Sequence, residues 1–162
     1  MSMEVQSVDF STYTKSDKYK WVHEQLPPLL APESDSVANL GNAMALLKDT
    51  FCWWWVGIYR VSQNELVLGP FQGPVACTRI ALGRGVCGSA WQQQKTIVVP
   101  NVHDFPGHIA CSALSQSEIV VPIFKGEEVV AVLDVDSEHL AHFDEIDARE
   151  LGIFCASLVP YL

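Results

Sequence analysis

The chain has 162 residues, 49% of them apolar and only 18% charged, which describes one globular domain with a substantial core and excludes a disordered chain. A formal net charge of −9 argues against a nucleic-acid partner and against anionic membrane surfaces. Apolar runs such as 119–124 are far too short to span a bilayer. No basic-then-apolar leader follows Met1, so the expected compartment is the cytoplasm.

Residues 1–10 read as a loose polar lead-in to a single domain covering 1–162. A first helix is expected over 13–26, ended by the Pro27-Pro28 pair. A second is expected over 36–48, with Val37, Leu40, Met44 and Leu47 on one face and a cap among Ser34, Asp35 and Ser36. Strands follow at 53–61 and 65–71, joined near Gln63-Asn64, with Trp53, Trp55, Gly57 and Tyr59 on one side of the first. A short strand at 76–80 leads to Gly83, Gly85 and Gly88, which surround a turn into a short helix carrying Trp91. A strand at 96–99 and a long loop at 100–109 come next. Strands 118–124 and 128–136 form a hairpin around Lys125-Gly126, and helix resumes from Phe143 with Asp144 as its cap. This pattern predicts an α+β fold, a central antiparallel sheet with helices packed on it.

Five cysteines, an odd number, do not suggest a disulfide framework. Cys52, beside the tryptophan-rich strand, and Cys155, in an apolar helix, read as packing residues. Cys77, Cys87 and Cys111 sit in loop-like segments with small neighbours, where another sulfur can approach. A zinc site built from Cys77, Cys87, His108 and Cys111 would lack the close ligand pairs such sites use, so no metal and no cofactor is expected. His103 and His108 could orient a thiol or a substrate.

Three carboxylates stand out. Asp134 and Asp136, two apart on a strand, share a face, and the hairpin brings Glu118 to the same end. Mutual repulsion should then raise the pKa of at least one. Such a cluster can hold an ammonium group and donate a proton. The first strand is aromatic on both faces, and core packing needs only one of them, which leaves the other free to wall a pocket, where a methyl or sulfur group lies well against indole.

Several phrases in order along the chain carry a family resemblance. They are Trp55-Val56-Gly57-Ile58-Tyr59, Leu68-Gly69-Pro70-Phe71-Gln72-Gly73, Ala76-Cys77-Thr78-Arg79-Ile80, Gly85-Val86-Cys87-Gly88, Phe105-Pro106-Gly107-His108-Ile109-Ala110-Cys111, Ser117-Glu118-Ile119-Val120-Val121-Pro122-Ile123 and Val132-Leu133-Asp134-Val135-Asp136-Ser137. Over roughly 13–160 the chain resembles the free methionine-(R)-sulfoxide reductases, which are single GAF-domain enzymes. The resemblance implies a GAF-like fold and an oxidoreductase that converts free L-methionine-(R)-sulfoxide to methionine in oxidative-stress repair. It implies that Cys111 is the attacking cysteine and that Cys77 or Cys87 resolves it as a redox-active disulfide. It also implies Trp55, Tyr59, Glu118, Asp134 and Asp136 as the substrate-binding residues, thioredoxin as reductant, and a homodimer.

Overall fold

In a computed structural model, residues 7–108 and 113–162 are described. The chain opens with helix α1 (Lys15–Leu30), started by a reciprocal capping box between Thr14 and Asp17. Pro27 and Pro28 lie inside this helix instead of ending it. Each proline removes one helical donor, but Leu26 and Leu30 are both buried and the Ala31 amide donates to the Pro27 carbonyl. Burial of the final turn therefore outweighs the two missing bonds. Ahead of α1, Phe10 packs edge-on against Tyr13 and Trp21, so the lead-in is tied down at its described end.

Helix α2 (Ser36–Phe51) is capped by Asp35, whose carboxylate accepts from the Ala38 amide. Leu40, Met44 and Leu47 are buried as the spacing predicts, whereas Val37 in the first turn is 69% exposed. The helix ends at Cys52, which adopts the left-handed conformation and is exposed. Cys52 is thus a capping residue and not a packing one.

The remaining elements are β1 (Trp55–Ser62), β2 (Glu65–Gln72), β3 (Arg79–Ala81), α3 (Gly85–Gln93), β4 (Ile97–Val99), β5 (Ser117–Lys125), β6 (Glu128–Ser137) and α4 (Glu145–Leu158). The six strands form one antiparallel sheet in the order β3-β2-β1-β6-β5-β4. The loop after β4 contains a 3-10 turn, Val102–Asp104, whose Val102 is buried.

Strand alternation gives this sheet two different faces. Val56 and Ile58 of β1, Ile119 and Val121 of β5, and Leu133 and Val135 of β6 pack with the buried sides of α1, α2 and α4 into the larger core. On the opposite face, Trp55, Tyr59, Val120 and Val132 meet α3 and the loop around Val102. The strand begins at Trp55, so the alternation does not extend back to Trp53. Trp53 lies in the helical core, stacked on Phe51, and Trp54 packs on the other side, the reverse of the expected placement. A network centred on buried Asp147 also fastens α1 to α4: the Tyr19 hydroxyl donates to Asp147 at 2.6 Å, and Lys15 Nζ, nearer the surface, pairs with Asp147 and Asp144.

Candidate active site

The face opposite the large core carries a pocket whose floor is set by strand register. Glu118 on β5 is directly opposite Asp136 on β6, and Asp134 pairs with Val120 on one side and Gly57 of β1 on the other. All three acids therefore project from one end of the sheet into the same cavity, which Trp55, Tyr59, Arg84, Cys87 and His108 also line. Glu118 and Asp134 are buried. One ligand atom from each of Cys87, Glu118 and Asp134 lies within 4.8 Å of the others, all on buried residues.

Taking these groups out of water controls their titration. Burial, then the charges of Asp134 and Asp136, push the Glu118 pKa well above its usual range. Burial, then Asp134, does the same to Asp136, although Ser115 Oγ donates to Asp136 at 2.8 Å. Asp134 is also raised, chiefly by burial, while Glu118 and Cys87 partly counter the effect through hydrogen bonding. Repulsion among the acids is thus real but secondary to desolvation. Among the described residues, Asp134 Oδ1 is buried with no hydrogen-bond partner. A buried carboxylate oxygen left unpaired is costly, and it is a ready acceptor for an incoming donor.

Aromatic rings form the pocket wall. Trp55 stacks on Phe71 at 5.3 Å and on Tyr59 at 6.0 Å. The indole lies across Gly57, where a Cβ would come to 2.6 Å from the Phe71 Cβ and would also strike the Trp55 ring. Glycine at position 57 is therefore what lets the indole lie flat beside Asp134. The same two aromatics hold the loop between β2 and β3. Trp55 Nε1 donates to the Pro74 carbonyl at 3.0 Å, and the Tyr59 hydroxyl donates to the Cys77 carbonyl at 2.9 Å.

The cysteines separate by environment. Cys77, half-buried on that loop, is disulfide-bonded, whereas Cys52, Cys87 and Cys155 are free thiols. Cys87, in the first turn of α3, is buried. Burial, then the charges of Asp134 and Glu118, raise its pKa well above the ordinary thiol value, so it stays protonated. Cys155 is buried in the helical core, as its apolar helix predicts. Cys111 lies outside the described residues.

Six of the eight predicted site residues, Trp55, Tyr59, Cys87, Glu118, Asp134 and Asp136, therefore line one pocket, and Cys77 sits beside lining residue Ala76. The sequence reading did not single out Arg84 or Ser115. Ser115 carries no motif and lies just ahead of β5, and only the tertiary structure brings its hydroxyl to Asp136. Arg84 was legible solely as the residue before Gly85 at the start of α3. His108, weighed without a definite role, lines the pocket with Nε2 3.9 Å from Glu118. Burial and the nearby His103 push its pKa down, which favours a neutral imidazole.

A six-stranded antiparallel sheet with a helical layer on one face and a pocket on the other is the architecture of the GAF class. A family model described as GAF domain matches residues 40–159. The chain is 54% identical over 147 residues to GAF domain-containing protein A of Dictyostelium discoideum, covering 90% of this chain and 93% of that protein. It is 40% identical over 149 residues to the free methionine-R-sulfoxide reductase of Escherichia coli, covering 91% and 90% respectively. The structure of the free methionine-R-sulfoxide reductase from Neisseria meningitidis, in complex with its substrate, superimposes with a TM-score of 0.91 at 52% identity, covering 95% of this chain and 93% of that one. The chain belongs to the free methionine-(R)-sulfoxide reductase family.

Proposed function

We propose that this protein reduces free L-methionine-(R)-sulfoxide to L-methionine, with Cys111 as the attacking thiol and Cys77 as the resolving one. The observation that carries the reading is the buried acid cluster beside an indole wall, with one Asp134 oxygen left without a partner. A substrate ammonium satisfies that oxygen, and the sulfoxide methyl group packs against Trp55. Methionine inside a peptide has no ammonium to offer, so the buried carboxylate would remain unpaired and the peptide is rejected.

The chemistry is balanced as follows. The Cys111 thiolate attacks the sulfoxide sulfur while Glu118, held protonated by burial, gives its proton to the sulfoxide oxygen. Oxygen passes to the cysteine, so thiol plus sulfoxide become a Cys111 sulfenic acid plus the thioether of methionine. The Cys77 thiol then displaces water from the sulfenic acid, forming a disulfide. The dithiol of thioredoxin reduces this disulfide by exchange and is itself oxidised. Cys77 suits the resolving role because it lies on a half-buried loop and is found in a disulfide. Cys87 suits it less, being a buried, protonated and free thiol. A cytoplasmic homodimer working in oxidative-stress repair is the setting that accompanies this activity.

The test is a comparison of three variants. Cys111→Ser should release no methionine even in a single turnover. Cys77→Ser should release about one methionine per protein and then stop, whereas Cys87→Ser should continue cycling with thioredoxin, thioredoxin reductase and NADPH. Sustained cycling by Cys77→Ser would transfer the resolving role to Cys87.

A further inference from the structure

The reduction proposed above gives Cys87 no step, although it lines the pocket as a buried free thiol. It stands in the first turn of α3, against Glu118 on β5 and Asp134 on β6. The sulfur and one carboxylate oxygen from each acid all lie within 4.8 Å of one another. In a tetrahedral zinc site, with bonds of about 2.3 Å to sulfur and 2.0 Å to oxygen, such donors stand ~3.5 Å apart. Small side-chain adjustments therefore suffice to close these three around one ion. This donor set shares only Cys87 with the cysteine and histidine set weighed from the sequence. Its members come from three distant segments, and strand register with the seat of α3 assembles it.

A second observation points to a cation. Asp134 is 7% exposed and lines the cavity, and among the described residues its Oδ1 has no hydrogen-bond partner. None of the ion pairs among the described residues involves this carboxylate. One thiolate with two carboxylates suits a thiophilic divalent ion, whereas Mg²⁺ and Ca²⁺ prefer oxygen donors throughout. Three protein donors also leave a fourth tetrahedral position open to water. On binding, the Cys87 thiol and the Glu118 carboxyl shed their protons to solvent. One doubly charged ion then replaces two protons, so the pocket buries no additional net charge.

We propose that Cys87, Glu118 and Asp134 form a binding site for a divalent thiophilic cation of the zinc type, which shuts the pocket by taking the place of a substrate ammonium at Asp134. The cation site stands apart from the reductase activity, whereas the competition rests on reading this pocket as the site for free methionine sulfoxide.

Cadmium is the probe, because a cadmium–thiolate bond absorbs in the ultraviolet where zinc is silent. Protein prepared without reductant, in which Cys77 is disulfide-bonded, is titrated with Cd²⁺. One ion per chain should bind with a thiolate band, and Zn²⁺ but not Mg²⁺ should displace it. Cys52→Ser, which removes the exposed thiol, should leave the band in place. Cys87→Ser should abolish it and weaken binding at least tenfold. Glu118→Gln keeps the side-chain shape and should also weaken binding at least tenfold. No band in the wild type, a band that survives Cys87→Ser, displacement by Mg²⁺, or unchanged affinity in Glu118→Gln would each overturn the site. L-methionine-(R)-sulfoxide should weaken cadmium binding beyond the effect of an equal concentration of alanine, the control for chelation in solution. Cadmium binding that the sulfoxide does not weaken would overturn the competition and the reading of the pocket on which it rests, leaving the cation site standing.

Discussion

Replacing Glu118 by Gln should make the protein more stable and far less active. Glu118 is 6% exposed, faces Asp136 across the β5–β6 pair and lies near Asp134, and its pKa is raised well above 4.5 by burial and by both neighbours. A carboxyl made less acidic by folding stabilises the folded state while protonated. That contribution is complete below its unfolded value, near 4.5, and is lost as pH rises through the folded value. Each tenfold weakening of acidity is worth about 1.4 kcal/mol once the group is forced to ionise. Glutamine keeps the shape, cannot ionise and can donate hydrogen bonds to the two aspartates. The gain at pH 8 should therefore be about 1 to 2 kcal/mol, of the size usual when function-related strain is relieved. For a domain of this size that raises the midpoint of thermal unfolding by about 2 to 8 °C. Melting both proteins from pH 5 to 8 should show the difference growing as pH rises. Activity should fall by about 10² or more as the proton donor is lost. A variant less stable than wild type at pH 8, or a difference that does not vary with pH, would refute the assignment of Glu118 as a buried acid held protonated by its surroundings.

Gly57→Ala should cost about 1 to 3 kcal/mol, because the added methyl group meets Phe71 and displaces the Trp55 ring. It should also raise KM for the sulfoxide, as steady-state kinetics can check. Tyr19→Phe removes the donor to buried Asp147 and should cost about 1 to 3 kcal/mol in urea unfolding. The same change should leave kcat/KM near wild type, since α1 packs on the sheet face away from the pocket.

Much of the site was legible because it obeys strand periodicity. Asp134 and Asp136 are two apart, and a hairpin turning at Gly126 brings Glu118 to their end; the irregularity between Ile123 and Phe124, which no local rule predicts, then shifts the pairing by one residue and sets Glu118 opposite Asp136 on the same face. Local rules failed where burial or a strand boundary overrode them. Pro27 and Pro28 have an ordinary meaning as helix breakers, yet Leu30 finds a place in the core and the helix continues. Trp53 and Trp54 exchanged faces because they precede the first strand residue and do not share its alternation. Cys52 has apolar neighbours in sequence but caps a helix at the surface.

By itself, the order of residues determined which chemistry this protein has available: three cysteines among small neighbours, three acids at one hairpin end, and an aromatic strand to wall a pocket. Spacing within one strand or one hairpin is a local property, so those groupings could be read without a structure. The tertiary structure alone decided which groups desolvate one another and which are left unpaired. It placed Cys87 in a buried, acid-lined environment that keeps it a thiol, and it left Asp134 Oδ1 without a partner. It also brought Arg84 and the start of α3 to the cavity that holds the acids. Burial and charge proximity depend on segments far apart in the chain, and only packing of α3 and the long loops against the sheet creates them.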